Sequence, residues 1–460
     1  MIPVRSVDNF VLWLDGFLDY ERIKKKDAFS LETMRFLVER FNNPQDSFRS
    51  IHVAGSKGKG SVSTMIASII EAGGMKCGLY TSPHMLDFTE RVKTAHDILP
   101  EEIYQRAASL EMPRVDSILP QSIPGGMEPS WFELVTLFSF LAFREAGLEW
   151  AVIETGLGGR LDATNVVRPE ASVITPIELE HTEYLGHTIE AIAGEKAGII
   201  KEDIPVFISL QKNEARTVFL KTATMRKAPV FCMEDFLSRL DYRLSVEGLE
   251  ITADFSTLPT GPRFSRPLHT TLSLVNTIQA QNAALAAYTV KHLFPDMDES
   301  VIETGLSRAW LPGRFEIISK TPLVVLDGAH TVQSITLTVD TFLNLTSPSG
   351  KEPLLLFACA ADKDVGRMAA VFADRFPDII LTKPGDKKQS DITAVYRSFN
   401  EVHLCPPKTN VSVDEDYTRA VRKAFHLAAE SGRPLLVTGS FYLVSEAKKC
   451  ELDVFSCQGN

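Results

Sequence analysis

At 460 residues the chain is too long for one ordinary hydrophobic core, and two or three domains are expected. Hydrophobic residues make up 44% and charged residues 23% of it, with mean hydropathy at zero, the balance of a soluble globular protein. A net charge of −11 excludes a nucleic acid or an anionic membrane held by bulk attraction, so an anionic ligand needs a local positive site.

Met1-Ile2-Pro3-Val4-Arg5 has no apolar leader, and no run reaches the ~18 apolar residues of a spanning helix. Six cysteines (Cys77, Cys232, Cys359, Cys405, Cys450 and Cys457) are scattered without a Cys-x-x-Cys pair. They read as the reduced thiols of a cytoplasmic protein, not as a zinc site or a disulfide framework.

From about residue 50, strand-like apolar runs alternate with helical patterns. Ile51-His52-Val53-Ala54 predicts a buried strand, followed by a Gly-rich turn and a helical pattern from Ser63 to Ala72. Trp150 to Glu154 and Ala171 to Thr175 are further short strands, giving the βαβ rhythm of a parallel sheet covered on both faces. Pro205 to His269 is less regular and β-prone, with antiparallel strands expected at Tyr242 to Val246 and Leu249 to Ile251. An Ala-rich helix (Gln279 to Lys291) leads to Trp310-Leu311-Pro312-Gly313-Arg314, where a domain boundary is expected. A second βα series then has strands at Leu323 to Leu326, Leu354 to Ala358, Ile379 to Thr382 and Leu435 to Val437.

Gly55-Ser56-Lys57-Gly58-Lys59-Gly60-Ser61, lying between a strand and a helix, has the context of a phosphate loop. Glycines let backbone amides converge on phosphate oxygens, and the helix N-terminus adds its positive dipole end. Lys59 would reach the β- and γ-phosphates, with Ser61 capping the helix near the metal. Three further segments follow strands: Thr81-Ser82-Pro83-His84, Glu154 opening a Gly-rich run to Asn165, and Glu180-His181. Hydroxyl, carboxylate and imidazole at Ser82, Glu154 and His181 could hold Mg2+ on ATP, with water completing the shell. Taken singly, each also reads as a surface or turn residue.

Several long motifs stand in a fixed order: His52-Val53-Ala54-Gly55, Ser82-Pro83-His84 with Glu90-Arg91-Val92, and Glu154 through Asn165. Ala193-Gly194-Glu195-Lys196-Ala197-Gly198-Ile199-Ile200-Lys201, Pro312-Gly313-Arg314-Phe315-Glu316, Asp327-Gly328-Ala329-His330 and Gly439-Ser440-Phe441-Tyr442-Leu443 complete them. From about residue 29 to residue 446 the sequence resembles folylpolyglutamate synthase, including the bifunctional dihydrofolate synthase/folylpolyglutamate synthase, within the Mur ligase superfamily. Some positions differ from the family pattern. Lys57 adds a cation to the phosphate loop, Leu179-Glu180-His181 replaces Leu-Asp-His, and Ser30-Leu31-Glu32-Thr33 replaces Gly-Leu-x-Arg.

The resemblance implies an α/β fold. A P-loop ATPase domain with a Mur ligase-like central fold (1–309) would carry Mg·ATP and pterin, and a smaller Rossmann-like ligase domain (310–460) would follow. It implies one or two Mg2+ ions at Ser82, Glu154 and His181, and a carbamylated lysine (N6-carboxylysine) at Lys196. Asn282, Arg314 and Asp327 would contact ATP, with His330 beside them and Lys59, Lys196 and His330 serving catalysis. A pterin pocket would involve the segment around Phe29 to Thr33, then Trp131, Phe132 and Glu133, and Leu161, Asp162 and Ala163. The implied activity is ATP-dependent addition of L-glutamate to folate, and to dihydropteroate if the enzyme is bifunctional, through an acyl phosphate. Small molecules are the expected partners of a monomer, with no nucleic acid and no membrane. A peptidoglycan-type Mur ligase and a nucleotide-binding regulatory module are the competing readings.

Overall fold

The computed structural model describes residues 6–18, 30–126, 128–385, 389–402 and 409–454. Strand β1 (Arg49–Ala54) is buried from its second residue onward, as a strand must be when helices cover both faces. With β2 (Cys77–Tyr80), β3 (Val92–Thr94), β4 (Trp150–Glu154), β5 (Ala171–Ile174), β6 (Val206–Ile208) and β7 (Val230–Cys232) it forms one sheet. The order is β3-β2-β4-β1-β5-β6-β7. All pairings are parallel except that of β3 with β2.

Chain direction puts function on one edge. The strand next to β1 is β4 on one side and β5 on the other, so the connections leave β1 in opposite directions and open a crevice at the carboxyl ends. Val53 is in register with Glu154, Ala54 with Ile174, and Tyr80 with Ile153. The segments leaving β1, β2, β4 and β5 therefore emerge side by side. The helix after β1 (Lys59–Ala72) is buried from Ser61 through Ile70. That includes its hydroxyls, and Ser68 donates to the Gly305 carbonyl of the neighbouring helix Glu299–Arg308.

The β-prone reading of residues 205–269 is corrected in its first part. Between β6 and β7 lies a helix, Asn213–Met225, that buries Ala215, Phe219 and Ala223 at intervals of four, so the parallel sheet continues there. Only then come β8 (Leu237–Ser245), β9 (Gly248–Phe255) and β10 (Leu268–Leu272), a sheet in the order β10-β9-β8.

The chain divides into two compact units: Met1–Asp241, Ile251–Thr271 and Gln279–Trp310 in the first, Tyr242–Glu250, Leu272–Ile278 and Leu311–Asn460 in the second. The second unit has its own sheet of β11 (Glu316–Lys320), β12 (Leu323–Asp327), β13 (Leu354–Phe357), β14 (Asp378–Leu381), β15 (Asn410–Val413) and β16 (Leu435–Thr438). Its order is β11-β12-β16-β13-β14-β15, parallel except for β11 against β12. Among the described residues no helix is long and apolar enough to cross a membrane. Cys77, Cys232 and Cys359 are buried free thiols and Cys450 is also buried, while Cys405 and Cys457 lie outside the described residues.

In the first unit, helices Ser6–Leu14, Glu101–Asp116 and Trp131–Glu145 pack through aromatic rings, with Phe10 stacked on Phe138 at 4.1 Å. Glu111 is fully buried on the middle helix, and neither carboxylate oxygen has a hydrogen-bond partner. Burial alone pushes its carboxyl well above the ordinary range, so the folded chain holds it protonated. A raised folded pKa means this group favours folding below the unfolded pKa, and that contribution is lost as pH rises through the folded value. Glu111→Leu should therefore raise the thermal midpoint, by more at pH 8 than at pH 5. The gain at pH 8 is on the order of 1–3 kcal/mol, the penalty of an unsatisfied buried polar group. Equal midpoints for variant and parent at pH 8 would refute this account.

Candidate active site

The loop after β1 takes its shape from two glycines. Gly55 has φ +147°, and a Cβ there would lie 1.8 Å from the Thr175 hydroxyl oxygen. Gly58 has φ +86° and caps the helix Lys59–Ala72, with Asn282 packed against it so closely that a Cβ would meet the amide oxygen at 2.9 Å. The expectation that Ser61 caps this helix is thus corrected. Ser61 lies inside the first turn, and its hydroxyl accepts from Gln279 Nε2 at 3.2 Å. Gln279 Oε1 in turn accepts from Asn282 Nδ2 at 2.9 Å. Asn282 is therefore joined to the phosphate loop, and Gln279 is a member that motif reading passed over.

The amides of Ser56 and Lys57 both donate to the Pro176 carbonyl, at 2.9 and 3.3 Å. The loop amides available to an anion are accordingly those of the first helical turn, Lys59, Gly60 and Ser61, which have no carbonyl partner within the helix. Lys59 Nζ folds back to donate to the Gly55 carbonyl at 3.1 Å.

Lys196, at the end of helix Ile189–Lys196, sends its buried amine to the same carbonyl at 2.7 Å and to Glu180 Oε1 at 3.0 Å. Burial, then the nearby Lys59 charge, lower the Lys196 amine to about 8 against the opposing pull of Glu180. Burial would raise the Glu180 carboxyl, but Lys59 and Lys196 outweigh it and hold the group ionised. Glu180 is the second residue that motif reading left without a role.

On the neighbouring strands, the Ser82 amide donates to Glu154 Oε2 at 3.3 Å, joining the loop after β2 to the end of β4. That loop is organised by Glu90, whose carboxylate accepts from the amides of Met85, Leu86 and Asp87. Arg91 Nε donates to His84 Nδ1 at 2.8 Å. The separated motifs Ser82-Pro83-His84 and Glu90-Arg91 are one folded unit. His181 adopts φ +45° beyond β5, and its pKa is lowered first by burial and then by Lys59 and Lys196, leaving a neutral imidazole.

The residues expected around a pterin divide. Glu133 forms a capping box with Ser130, its Oε2 accepting from both the Ser130 amide and hydroxyl at 2.7 Å. Trp131 is buried, covered by the Arg91 guanidinium 4.8 Å from its ring centre. Phe132 packs its ring onto Gly156, whose added Cβ would meet it at 2.3 Å. Leu161 is half-buried and Ala163 buried beside Asp162, the cap of the turn Ala163–Val166. Asp162 accepts from the Leu157 amide at 2.8 Å, the Thr164 amide at 3.0 Å and the Thr164 hydroxyl at 2.5 Å. With its hydroxyl proton given to Asp162, Thr164 must accept from His52 Nε2 at 2.8 Å. His52 and Thr164 thus form an unforeseen relay running from β1 to Asp162. Phe29 lies outside the described residues, whereas Ser30 caps the helix Leu31–Arg40.

Arg314, Asp327 and His330 lie in the second unit. Asp327 accepts from the Phe315 and Ala329 amides and the Thr338 hydroxyl at 2.8–2.9 Å, tying the Pro312 to Glu316 segment to the end of β12. The Arg314 guanidinium lies 4.3 Å from the Phe441 ring centre, and the His330 ring lies edge-on to the same phenyl. His330 Nδ1 donates to the Gly328 carbonyl at 2.8 Å, which in the neutral ring leaves the lone pair on Nε2.

Residues 313–441 match the family model "Mur ligase, glutamate ligase domain". The chain is 31% identical over 419 residues to the folylpolyglutamate synthase of Lacticaseibacillus casei, covering 90% of this chain and 92% of that one. It is 31% identical to the dihydrofolate synthase/folylpolyglutamate synthase of Bacillus subtilis, covering 95% and 97%. The folylpolyglutamate synthase of Mycobacterium tuberculosis, solved with ADP and AMPPCP, superposes with a TM-score of 0.82 at 27% identity, covering 97% and 98%. Such identity along nearly the full length of both relatives, on the same fold, makes this chain a member of the folylpolyglutamate synthase/dihydrofolate synthase family.

Proposed function

We propose that the chain is an ATP-dependent ligase that forms an amide between a folate carboxylate and the amine of L-glutamate. The observation that carries the chemistry is the convergence of Lys59 and Lys196 on the Gly55 carbonyl, with Glu180 paired to Lys196, beside Ser82 and Glu154 at the same sheet edge. A carboxylate is a poor electrophile, and phosphoryl transfer from ATP makes it an acyl phosphate. The neutral glutamate amine then attacks the acyl carbon, and phosphate leaves as the amide forms. Positioning and charge neutralisation supply most of the catalysis in such a transfer. The first-turn amides and Lys59 would hold the β- and γ-phosphates as negative charge shifts between them.

Among the described residues, no three His, Cys, Asp or Glu side chains gather as a metal cluster. A carboxylate, a hydroxyl and a neutral imidazole at Glu154, Ser82 and His181 suit a cation that arrives with phosphate oxygens, since Mg2+ keeps most of its shell from nucleotide and water. Those three residues would hold Mg2+ on the nucleotide, which supplies charge neutralisation at the transferring group. Asn282 would steady the loop against the nucleotide; by the family resemblance Arg314, Asp327 and His330 match ATP contacts. Phe132, Leu161, Asp162 and Ala163 would meet the pterin, with Trp131 and Glu133 shaping the wall behind them.

The activity is tested by mass spectrometry of products from ATP, glutamate and either tetrahydrofolate or dihydropteroate. A mass gain of one glutamate on tetrahydrofolate is expected. Gain on dihydropteroate as well would establish the bifunctional form, and absence of both products despite ATP binding would refute the folate assignment.

An unmodified cation at Lys196 would stand beside a metal-nucleotide site. Its amine, lowered to about 8, is neutral in roughly one molecule in ten at pH 7, against about one in several thousand for an ordinary lysine. A neutral amine can add CO2 and release a proton, converting this cation into a carbamate anion. Lys196→Ala should lower kcat by roughly a hundredfold or more, with partial recovery in formate or acetate that fills the vacated position. Recovery by neither acid, together with an unmodified amine in an active Mg·ATP complex, would defeat the carbamate reading.

The relay to Asp162 gives a separate expectation. Thr164→Val keeps the side-chain shape but removes both the hydroxyl given to Asp162 and the acceptor for His52. KM for the pterin-bearing substrate should rise roughly tenfold, the loss of one charge-assisted hydrogen bond, while KM for ATP stays within about twofold. An equal rise in both constants would show a general loss of structure instead.

A further inference from the structure

Beside the turn Ala163–Val166, the first unit carries a cleft of about 330 Å3 lined by that turn and the helix Leu31–Arg40. Arg35, Arg168 and Lys201 line it, and Glu39 is the one acidic side chain among its lining residues. Three cations against one carboxylate leave it at 3 − 1 = +2, in a chain whose net charge is −11. Among the described residues, Arg35, Arg168 and Lys201 each lack a salt bridge to any carboxylate, and Glu39 in the same lining has none either. The Lys201 amine, half-buried at the cleft, instead donates to the Asn165 carbonyl at 2.9 Å. Burial and the charges of Arg226, Arg35 and Arg168 lower that amine to about 8, the mark of cations facing one another without a counter-charge.

Like charges gathered around a concave, partly desolvated space repel one another, and an anion placed between them converts that repulsion to attraction. Two guanidiniums and an ammonium supply the forked and point donors that match phosphate or carboxylate oxygens. We propose that this cleft is a binding site for a small multivalent oxyanion, separate from the phosphate loop. Asn165, which anchors Lys201, belongs to the turn that Asp162 caps, and its Nδ2 also donates to the Arg160 and Gly198 carbonyls. An occupant would therefore be felt by the turn assigned above to the pterin. That coupling rests on the proposed function, whereas the binding itself does not.

The chemistry fits clustered phosphates or clustered carboxylates, and calorimetry on the full chain separates them. Inorganic pyrophosphate and tri-γ-glutamate are titrated in turn at about 0.15 M salt, where bulk attraction is largely screened, with Mg·ADP filling the phosphate loop. At least one should bind saturably, and the double variant R35E/R168E should weaken it on the order of tenfold or more. Both arginines are exposed, so the fold should survive the change, and unchanged circular dichroism and ADP affinity check this. Arg168→Gln alone should weaken binding by a smaller factor. The stronger of the two probes names the ligand class. Binding of neither anion, or binding undiminished in R35E/R168E, would overturn the site. A Kd that responds to the arginines while KM for the folate ignores the anion would retain the site and remove only the coupling to the pterin turn.

Discussion

The Lys196 amine holds together segments that are far apart in sequence. It reaches the Gly55 carbonyl at the start of the phosphate loop and the Glu180 carboxylate beyond β5. Gly55 can present that carbonyl only because it takes φ +147° against Thr175, and Lys59 bonds to the same oxygen. Glu180 is the residue before His181, so the contact also fixes where the imidazole begins. Two amines on one carbonyl, with a single carboxylate between them, form a pair of close cations that the fold balances only in part. With Lys196 unmodified, this local excess of positive charge stands out in an acidic chain.

The sheet explains why that charge stands where it does. Parallel strands need both faces covered, so polar groups on β1, β2, β4 and β5 are pushed to the strand ends. Ser82 and Glu154 meet across β2 and β4 for this reason, and the register of Val53 with Glu154 brings them level with the phosphate loop. One exception inside the sheet is His52, a fully buried imidazole on β1. Burial and the Lys201 charge keep it neutral, and a neutral ring with its proton on Nε2 is what the Thr164 hydroxyl requires. The orphaned Nδ1 is then an acceptor without a donor, a milder penalty than a buried N–H left unpaired.

Much of this edge was legible in the sequence because short apolar runs, glycines and strand-end polar residues are local signals. Gly55 to Ser61 announced the loop, and Trp150 to Glu154 announced a strand ending on its carboxylate. What was not legible is tertiary. Gln279 reaches Ser61 across 218 positions and His52 reaches Thr164 across 112, and no periodicity encodes such pairs. The helix Asn213–Met225 was hidden for a different reason. Its Thr, Val and Phe residues carry strand propensity, and packing of Ala215, Phe219 and Ala223 against the sheet overrode it. Ser61 looked like a helix cap because serine usually is one, but the left-handed Gly58 had already taken that place. Glu133 is the opposite case. Ser130-Trp131-Phe132-Glu133 carries the capping-box spacing openly, and the carboxylate is consumed by its own helix terminus.

Asp327 shows how one buried carboxylate can organise three segments. Its carboxylate is buried, which pushes its pKa up, while three donors and the Arg314 charge pull it down. The donors come from the segment before β11, the end of β12 and the helix Val332–Thr346, so the carboxylate sets the spacing among all three. Arg314 follows Gly313 at one side of this hub, and His330 follows Ala329 at the other. Both side chains then rest on Phe441. A carboxylate already accepting three hydrogen bonds has little capacity left for a ligand. What the carboxylate does is place Arg314 and His330, and replacing it would disturb both at once.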